Sequence, residues 1–232
     1  MIIMSGTIGA GKSNLTEILS EHLGTKPFYE PVEENPILPL YYSDMKRYAF
    51  LLQIYFLNKR FRMIKQAMMD ENNVLDRSIY EDSLFFHMNA ENGNVTQAEV
   101  ETYDDLLDNM MEELPYAAAK KAPDLLVHID ISLDTMLARI KKRGRPYEQI
   151  EQDPSLKEYY RSLIEHYGPW YEQYDASPKM KIDGDRYDFV SNMQDRRAVL
   201  TMIDEALLKL GKLTPEEYRR LQEKLEKKSI AE

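Results

Sequence analysis

Gly6-Thr7-Ile8-Gly9-Ala10-Gly11-Lys12-Ser13 follows the apolar run Ile2-Ile3-Met4 and leads directly into the segment Asn14 to Leu23. The order reads as a strand, a glycine-rich turn and a helix that opens on Lys-Ser. This is the spacing of a phosphate-binding loop: successive backbone N–H groups wrap a polyphosphate, the lysine reaches the β- and γ-oxygens, and the serine hydroxyl ligates magnesium. The positive end of the following helix acts on the same anion. Loop residues 6 to 13 are therefore the candidate nucleotide-binding set.

At 232 residues the chain holds one α/β domain, expected over 1–212, with a helical tail over 213–232. It contains no Cys, which excludes disulfides and a catalytic thiol and suits a reducing compartment. No apolar run approaches the roughly 18 residues of a membrane span, so a cytoplasmic protein is expected. A net charge of −10 argues against general nucleic-acid binding, which needs a broad positive surface.

Around the loop, Pro27 to Glu30, Asn73 to Asp76, Leu125 to Ile131 and Met180 to Ile182 read as further strands, alternating with helices. The pattern calls for a five-stranded parallel sheet with helices on both faces. Pro31 forces Glu30 towards extended backbone, placing it at a strand end, where ligand crevices of open sheets lie. A long helix is expected from Asp44 to Asp70, with Gln53 and Arg60 on one face. Another runs from Thr96 to about Ala118, with Thr96 and Glu99 as a capping box. The tail repeats that device at Thr214 and Glu217. Helix Asp134 to Lys142 carries Arg139, and Pro146 is expected to break it and leave the last arginines of the basic run, Arg143 and Arg145, on a loop.

A phosphate loop alone serves GTPases, motors and small-molecule kinases. None of the nine glycines has an Asp three residues before it, and Asn58-Lys59 continues as Arg-Phe, so neither a GTPase switch nor a guanine reader is present. The three arginines around Gly144 suit instead a kinase lid that closes over phosphates and excludes water. A hydroxyl acceptor needs a carboxylate near the attacking oxygen, and Glu30 is placed for it. Asp76 and Arg77, at the next strand end, supply a magnesium carboxylate and a cation for the moving charge. On these residues a nucleoside kinase, a nucleoside monophosphate kinase of the thymidylate type and a non-catalytic nucleotide-binding regulator all remain open.

The chain resembles the deoxynucleoside kinases, most closely the deoxyadenosine/deoxyguanosine kinases of lactic-acid bacteria. The resemblance runs to about Leu213 and rests on GTIGAGKS, FYEPVEENP, LPLYY, YAFLLQIYFLNKRF, LDRSIYED, PDLLVHID, RIKKRGRPYEQ and SPKMKIDGD, in that order. It implies a P-loop kinase fold, a homodimer or a heterodimer with a paralogue, and transfer of the γ-phosphate of ATP or another NTP to a deoxyribose 5′-hydroxyl. Adenine or guanine is the implied base, with cytosine a further candidate. By position, Glu30 is implied as general base and Arg77 as holder of the 5′ region, with Lys12, Arg143 and Arg145 on the phosphates. Ser13 and Asp76 would take magnesium, Gln53 the base edge, Arg60 and Asp82 a charged pair in the base pocket, and Phe86 the base face. Tyr42 and Glu148 would take the 3′-hydroxyl, and Arg139 would lie by the donor adenine. Feedback inhibition is expected as well, a deoxynucleoside triphosphate placing its base by Gln53 and its phosphates in the loop. The acidic pair Glu33-Glu34 and the tail beyond Lys212 depart from the family pattern.

Overall fold

The computed structural model describes residues 1–30, 35–70, 72–117 and 123–230. The acidic pair at 33–34 and the expected helix end at 118 lie outside them. Strand β1 (Ile2–Gly6) leads through the loop into α1 (Lys12–Leu23), and β2 (Pro27–Phe28), α2 (Leu38–Ser43) and α3 (Met45–Ala67) follow. Next come β3 (Val74–Asp76), α4 (Ile79–Glu91), α5 (Gln97–Ala117), β4 (Leu125–Asp130) and α6 (Leu133–Arg143). After a 3-10 turn at Pro146–Glu148 come α7 (Leu156–Gln173), β5 (Lys179–Asp183), α8 (Met193–Lys209) and α9 (Pro215–Ile230).

The five strands form one all-parallel sheet in the order β2-β3-β1-β4-β5. Successive side chains of a strand point to opposite faces, and here both faces are covered. Ile2, Met4, Val74, Leu125, Val127 and Ile129 pack on one side, into the same core as Leu15, Leu163 and Ile203. Ile3 and Leu75 point to the other, where Leu57, Phe86 and Tyr103 meet them. From β1 the chain proceeds outward through β3 on one side and through β4 on the other, so the carboxyl end of β1 is the topological switch point where α/β folds bind ligands. Register places Met4 beside Asp76 and Gly6 beside Ile129, which brings the loop and the residues after β3 to one crevice.

Several boundaries differ from the sequence expectation. Strand β2 ends at Phe28, so Glu30 stands two residues beyond it. Helix α3 starts after Asp44, whose carboxylate accepts the Arg47 N–H at 3.0 Å, and stops at Ala67. Helix α6 ends at Arg143 because Gly144, at φ 75°, turns the chain left-handed two residues before Pro146. Helix α2 has no counterpart in the sequence reading. It is entered through Asn35, whose side-chain oxygen accepts the Ile37 and Leu38 N–H groups at 2.9 and 3.2 Å. Both capping boxes formed as expected: Glu99 takes the Thr96 N–H at 2.7 Å and Glu217 the Thr214 N–H at 2.8 Å. Leu221 and Leu225 of α9 are buried in the core that holds Ile2 and Leu15. Among the described residues no helix is long and apolar enough to cross a membrane.

Candidate active site

Strand β1 can deliver its loop because Gly6 has no side chain: at φ 142°, a Cβ there would sit 2.6 Å from the Ile129 carbonyl oxygen. The loop closes at Gly11, φ 97°, and α1 begins at Lys12. Lys12 folds across its own loop, donating to the carbonyls of Gly6 and Thr7, each at 2.9 Å. Burial, then repulsion from Arg77, pulls its pKa down to about 8 against the attraction of Asp76 and Glu30. Ser13 Oγ donates to Asp76 Oδ2 at 2.5 Å, and Asp76 Oδ1 is buried with no hydrogen-bond partner among the described residues. A hydroxyl and a half-satisfied carboxylate at the loop fit a hard cation. Among the described residues no group of three or more His, Asp or Glu is placed to hold a metal ion by itself. Arg139 braces the far side of the loop, donating to Ala10 O at 3.0 Å and Gly184 O at 2.7 Å.

Across the crevice, Arg77 sits at φ 73°, a conformation that costs a non-glycine residue roughly 1–3 kcal/mol. Its N–H is fixed by the Met4 carbonyl at 2.9 Å. Glu30 Oε1 lies between two guanidiniums. Arg60 Nη2 donates to it at 2.9 Å, while Arg77 Nε stands at the same distance with no aligned hydrogen bond, so that contact is purely an ion pair. Burial pushes the Glu30 carboxyl up, but Arg77, then Arg60 and Lys12, outweigh it and hold the pKa at about 2. Arg60 is itself buried and pairs with both oxygens of Asp82 at 3.1 and 3.3 Å. Those carboxylates drive its pKa further up although burial opposes them.

Gln53, from α3, is buried, and its side-chain oxygen has no hydrogen-bond partner among the described residues. Tyr42 stacks on Tyr147 with ring centroids 5.4 Å apart. Glu148 is buried and held by Arg143 at 2.5 Å and Arg145 at 3.5 Å.

One cavity of about 1160 Å3 joins the two halves. Of the residues anticipated from sequence, Ile8, Gly9, Gly11, Lys12, Ser13, Glu30, Tyr42, Gln53, Asp76, Arg77, Asp82, Arg139, Arg143, Arg145 and Glu148 line it. Gly6, Thr7 and Ala10 stand behind the wall as loop backbone, and Arg60 behind Glu30 and Asp82. Phe86 is not brought to the cavity: it is fully buried against Tyr103, with centroids 4.4 Å apart. Phe85 takes the wall position, under the Arg77 guanidinium at 4.6 Å. Both follow Asp82 by about one helical turn, at three and four residues, so spacing alone could not choose between them. Sequence reading also missed Asp185 and Arg186, which line the cavity just past β5. Their place after a parallel strand was the available signal. Arg143 and Arg145 line the wall but spend their charge on Glu148 rather than on the loop.

A parallel sheet with a phosphate loop at its switch point, opposed by a carboxylate–arginine pair in a cavity that reaches Gln53 and Phe85, has the make-up of a P-loop kinase of small molecules. Comparison with known proteins gives its family. The deoxynucleoside kinase profile matches residues 2–209, and the chain belongs to that family. Deoxyguanosine kinase of Lactobacillus acidophilus is 62% identical over 213 residues, 92% of this chain and 93% of that protein. Deoxyadenosine kinase of the same organism is 59% identical over 92% of this chain and 99% of that protein. The structure of deoxyadenosine kinase from M. mycoides with bound dATP superimposes with a TM-score of 0.73 at 34% identity, covering 88% of this chain and 98% of that one. The enzyme is thus a deoxynucleoside kinase, and the readings as a thymidylate-type kinase or a silent regulator fall away.

Proposed function

We propose that this kinase moves the γ-phosphate of ATP, with magnesium, to the 5′-hydroxyl of a purine deoxynucleoside. The observation that carries the assignment of roles is the position of Glu30, between the phosphate loop and the pocket and clamped by Arg60 and Arg77. A carboxylate with a pKa near 2 is ionised at any working pH and is a weak proton sink. In a loose phosphoryl-transfer transition state its main task is to orient the hydroxyl and receive the proton late. Arg77 steadies the 5′ oxygen and the moving charge. Lys12 leaves its loop carbonyls for the β- and γ-oxygens, joined by Arg143 and Arg145 once they let go of Glu148. Ser13 and Asp76 would hold the magnesium ion, which would neutralise phosphate charge.

Gln53 offers its unpartnered oxygen to an exocyclic amine and its amide to a ring nitrogen. With Phe85 on the base face, and Tyr42 and Glu148 at the 3′-hydroxyl, the pocket suits adenine or guanine. The names of the two Lactobacillus relatives support that class. The dATP in the M. mycoides structure supports feedback by a deoxynucleoside triphosphate spanning both subsites. A dimer in the cytoplasm fits the same reading. The test is Glu30→Gln, assayed with MgATP against deoxyadenosine, deoxyguanosine, deoxycytidine and thymidine monophosphate. The expected result is a fall in kcat of about 100-fold or more with nucleotide affinity retained. Unchanged turnover removes Glu30 from the chemistry, and a wild-type preference for deoxycytidine removes the purine assignment.

A further inference from the structure

Behind the junction of loop and pocket lies a buried pair with no part in the roles above, Glu81 on α4 and Tyr167 on α7. Glu81 is fully buried, and its carboxylate collects three donors. Oε1 accepts the Gly6 N–H at 3.1 Å and the Tyr167 O–H at 2.9 Å, while Oε2 accepts the Ser78 N–H at 2.9 Å. The Ser78 contact is half of a capping box, completed by Ser78 Oγ accepting the Glu81 N–H at 3.1 Å. A helix cap needs nothing more. The contacts to Gly6 and Tyr167 therefore serve something besides α4.

What they reach is the reacting centre from both sides. Gly6 opens the phosphate loop, and the Tyr167 hydroxyl accepts Arg77 Nη1 at 2.9 Å. Among the described residues the Arg77 side chain also meets Glu30, Glu81 at 3.8 Å and the Phe85 ring. Glu30 and Phe85 line the cavity and change surroundings when a ligand enters, whereas Tyr167 and Glu81 do not line it. The phenol is itself fixed, stacked near His128 at 5.7 Å and edge-on to Phe85 at 6.0 Å.

We infer that Tyr167 and Glu81 are positioning residues: Tyr167 holds the Arg77 guanidinium, and Glu81 ties that hydroxyl and the first loop amide to one carboxylate. The donor and acceptor halves then share a single rigid reference, and the in-line geometry of transfer is set by it. The inference rests on the proposed role of Arg77, which has its own control below.

The test is a kinetic cycle on the full chain with MgATP and deoxyguanosine or deoxyadenosine, whichever the wild type prefers. Tyr167→Phe removes one hydroxyl and keeps the ring packing. It is expected to lower kcat between about 10- and 100-fold while KM for ATP stays within about twofold. In an Arg77→Lys background, the same change is expected to alter kcat by less than about twofold, because the group through which Tyr167 acts is already lost. Glu81→Gln, which keeps the shape and removes the charge, is expected to lower kcat and also to raise KM for ATP through Gly6. A wild-type kcat in Tyr167→Phe or in Glu81→Gln overturns the inference, and so does an equal loss from Tyr167→Phe in both backgrounds, the mark of a merely structural role. If Arg77→Lys alone keeps wild-type kcat, the role of Arg77 fails, and the route through Tyr167 with it.

Discussion

Glu30, on the cavity wall, and the buried His128 answer acid in different pH ranges, although both hold depressed pKa values. Glu30 ionises at about 2 against an ordinary value of 4.5. The stability it contributes is complete above its ordinary value and is lost only as pH falls towards 2. His128, on β4, is pulled down from 6.5 to about 4, chiefly by burial and against the attraction of Glu81 and Asp130. Between those values the unfolded chain binds a proton that the folded chain refuses. Stability therefore drops as pH falls from 6.5 to 4, by up to about 3 kcal/mol. Acid sensitivity in the mildly acidic range is thus expected from His128 and not from Glu30, the proposed base. His128→Gln can retain a hydrogen bond to Ser5 Oγ, which now lies 3.1 Å from Nδ1. Thermal melts of wild type and variant across this range should converge at low pH; parallel curves would assign the loss to another group.

At the scale of elements, legibility followed length and chemistry. Helix α3 spans 23 residues, enough turns for its apolar period to declare itself, and β1 and β4 are short apolar runs with clear punctuation. The Thr96–Glu99 and Thr214–Glu217 boxes were readable because their partners are local. Helix α2, with 6 residues, completes fewer than two turns and has no period to detect. The stop of α6 was legible to within one residue, at Lys142 against Arg143, although Pro146 is the expected breaker and the left-handed turn at Gly144 is what ends the helix. In the site, residues delivered by strand ends were legible and the choice between Phe85 and Phe86 was not, because it depends on how α4 is rotated against the sheet. The tail's role was equally unreadable, since a stripe of few leucines does not say what it covers. In the fold it covers the core, and Lys224 Nζ donates to Glu21 O and His22 O, each at 3.2 Å, at the negative end of the loop helix α1. We expect a chain ending at Leu213 to lose about 3 kcal/mol or more from the burial of Leu221 and Leu225 while kcat is retained. Melting temperature and turnover of that variant check the claim, and an unchanged melting temperature would make α9 an ornament.

The whole molecule carries a charge of −10, yet its cavity is lined by Lys12, Arg77, Arg139, Lys142, Arg143, Arg145 and Arg186. A polyanion is therefore met by local cations against an unfavourable global field, and four of these cations already have company. Lys12 rests on loop carbonyls, Arg77 on Glu30, and Arg143 and Arg145 on Glu148. The last group joins the two substrates, because Glu148 is proposed to take the 3′-hydroxyl while its arginines are proposed to take phosphate. Binding at one half then alters what the other half has free. Glu148→Gln should separate these effects with opposite signs. Loss of the charged acceptor should raise KM for the deoxynucleoside about tenfold, the scale of a hydrogen bond to a charged group. Released from the carboxylate, Arg143 and Arg145 should lower KM for ATP. Steady-state kinetics with each substrate varied in turn reads both. If both KM values rise, Glu148 holds the arginines in place for the phosphates instead of competing for them, and the two halves are coupled in the opposite sense.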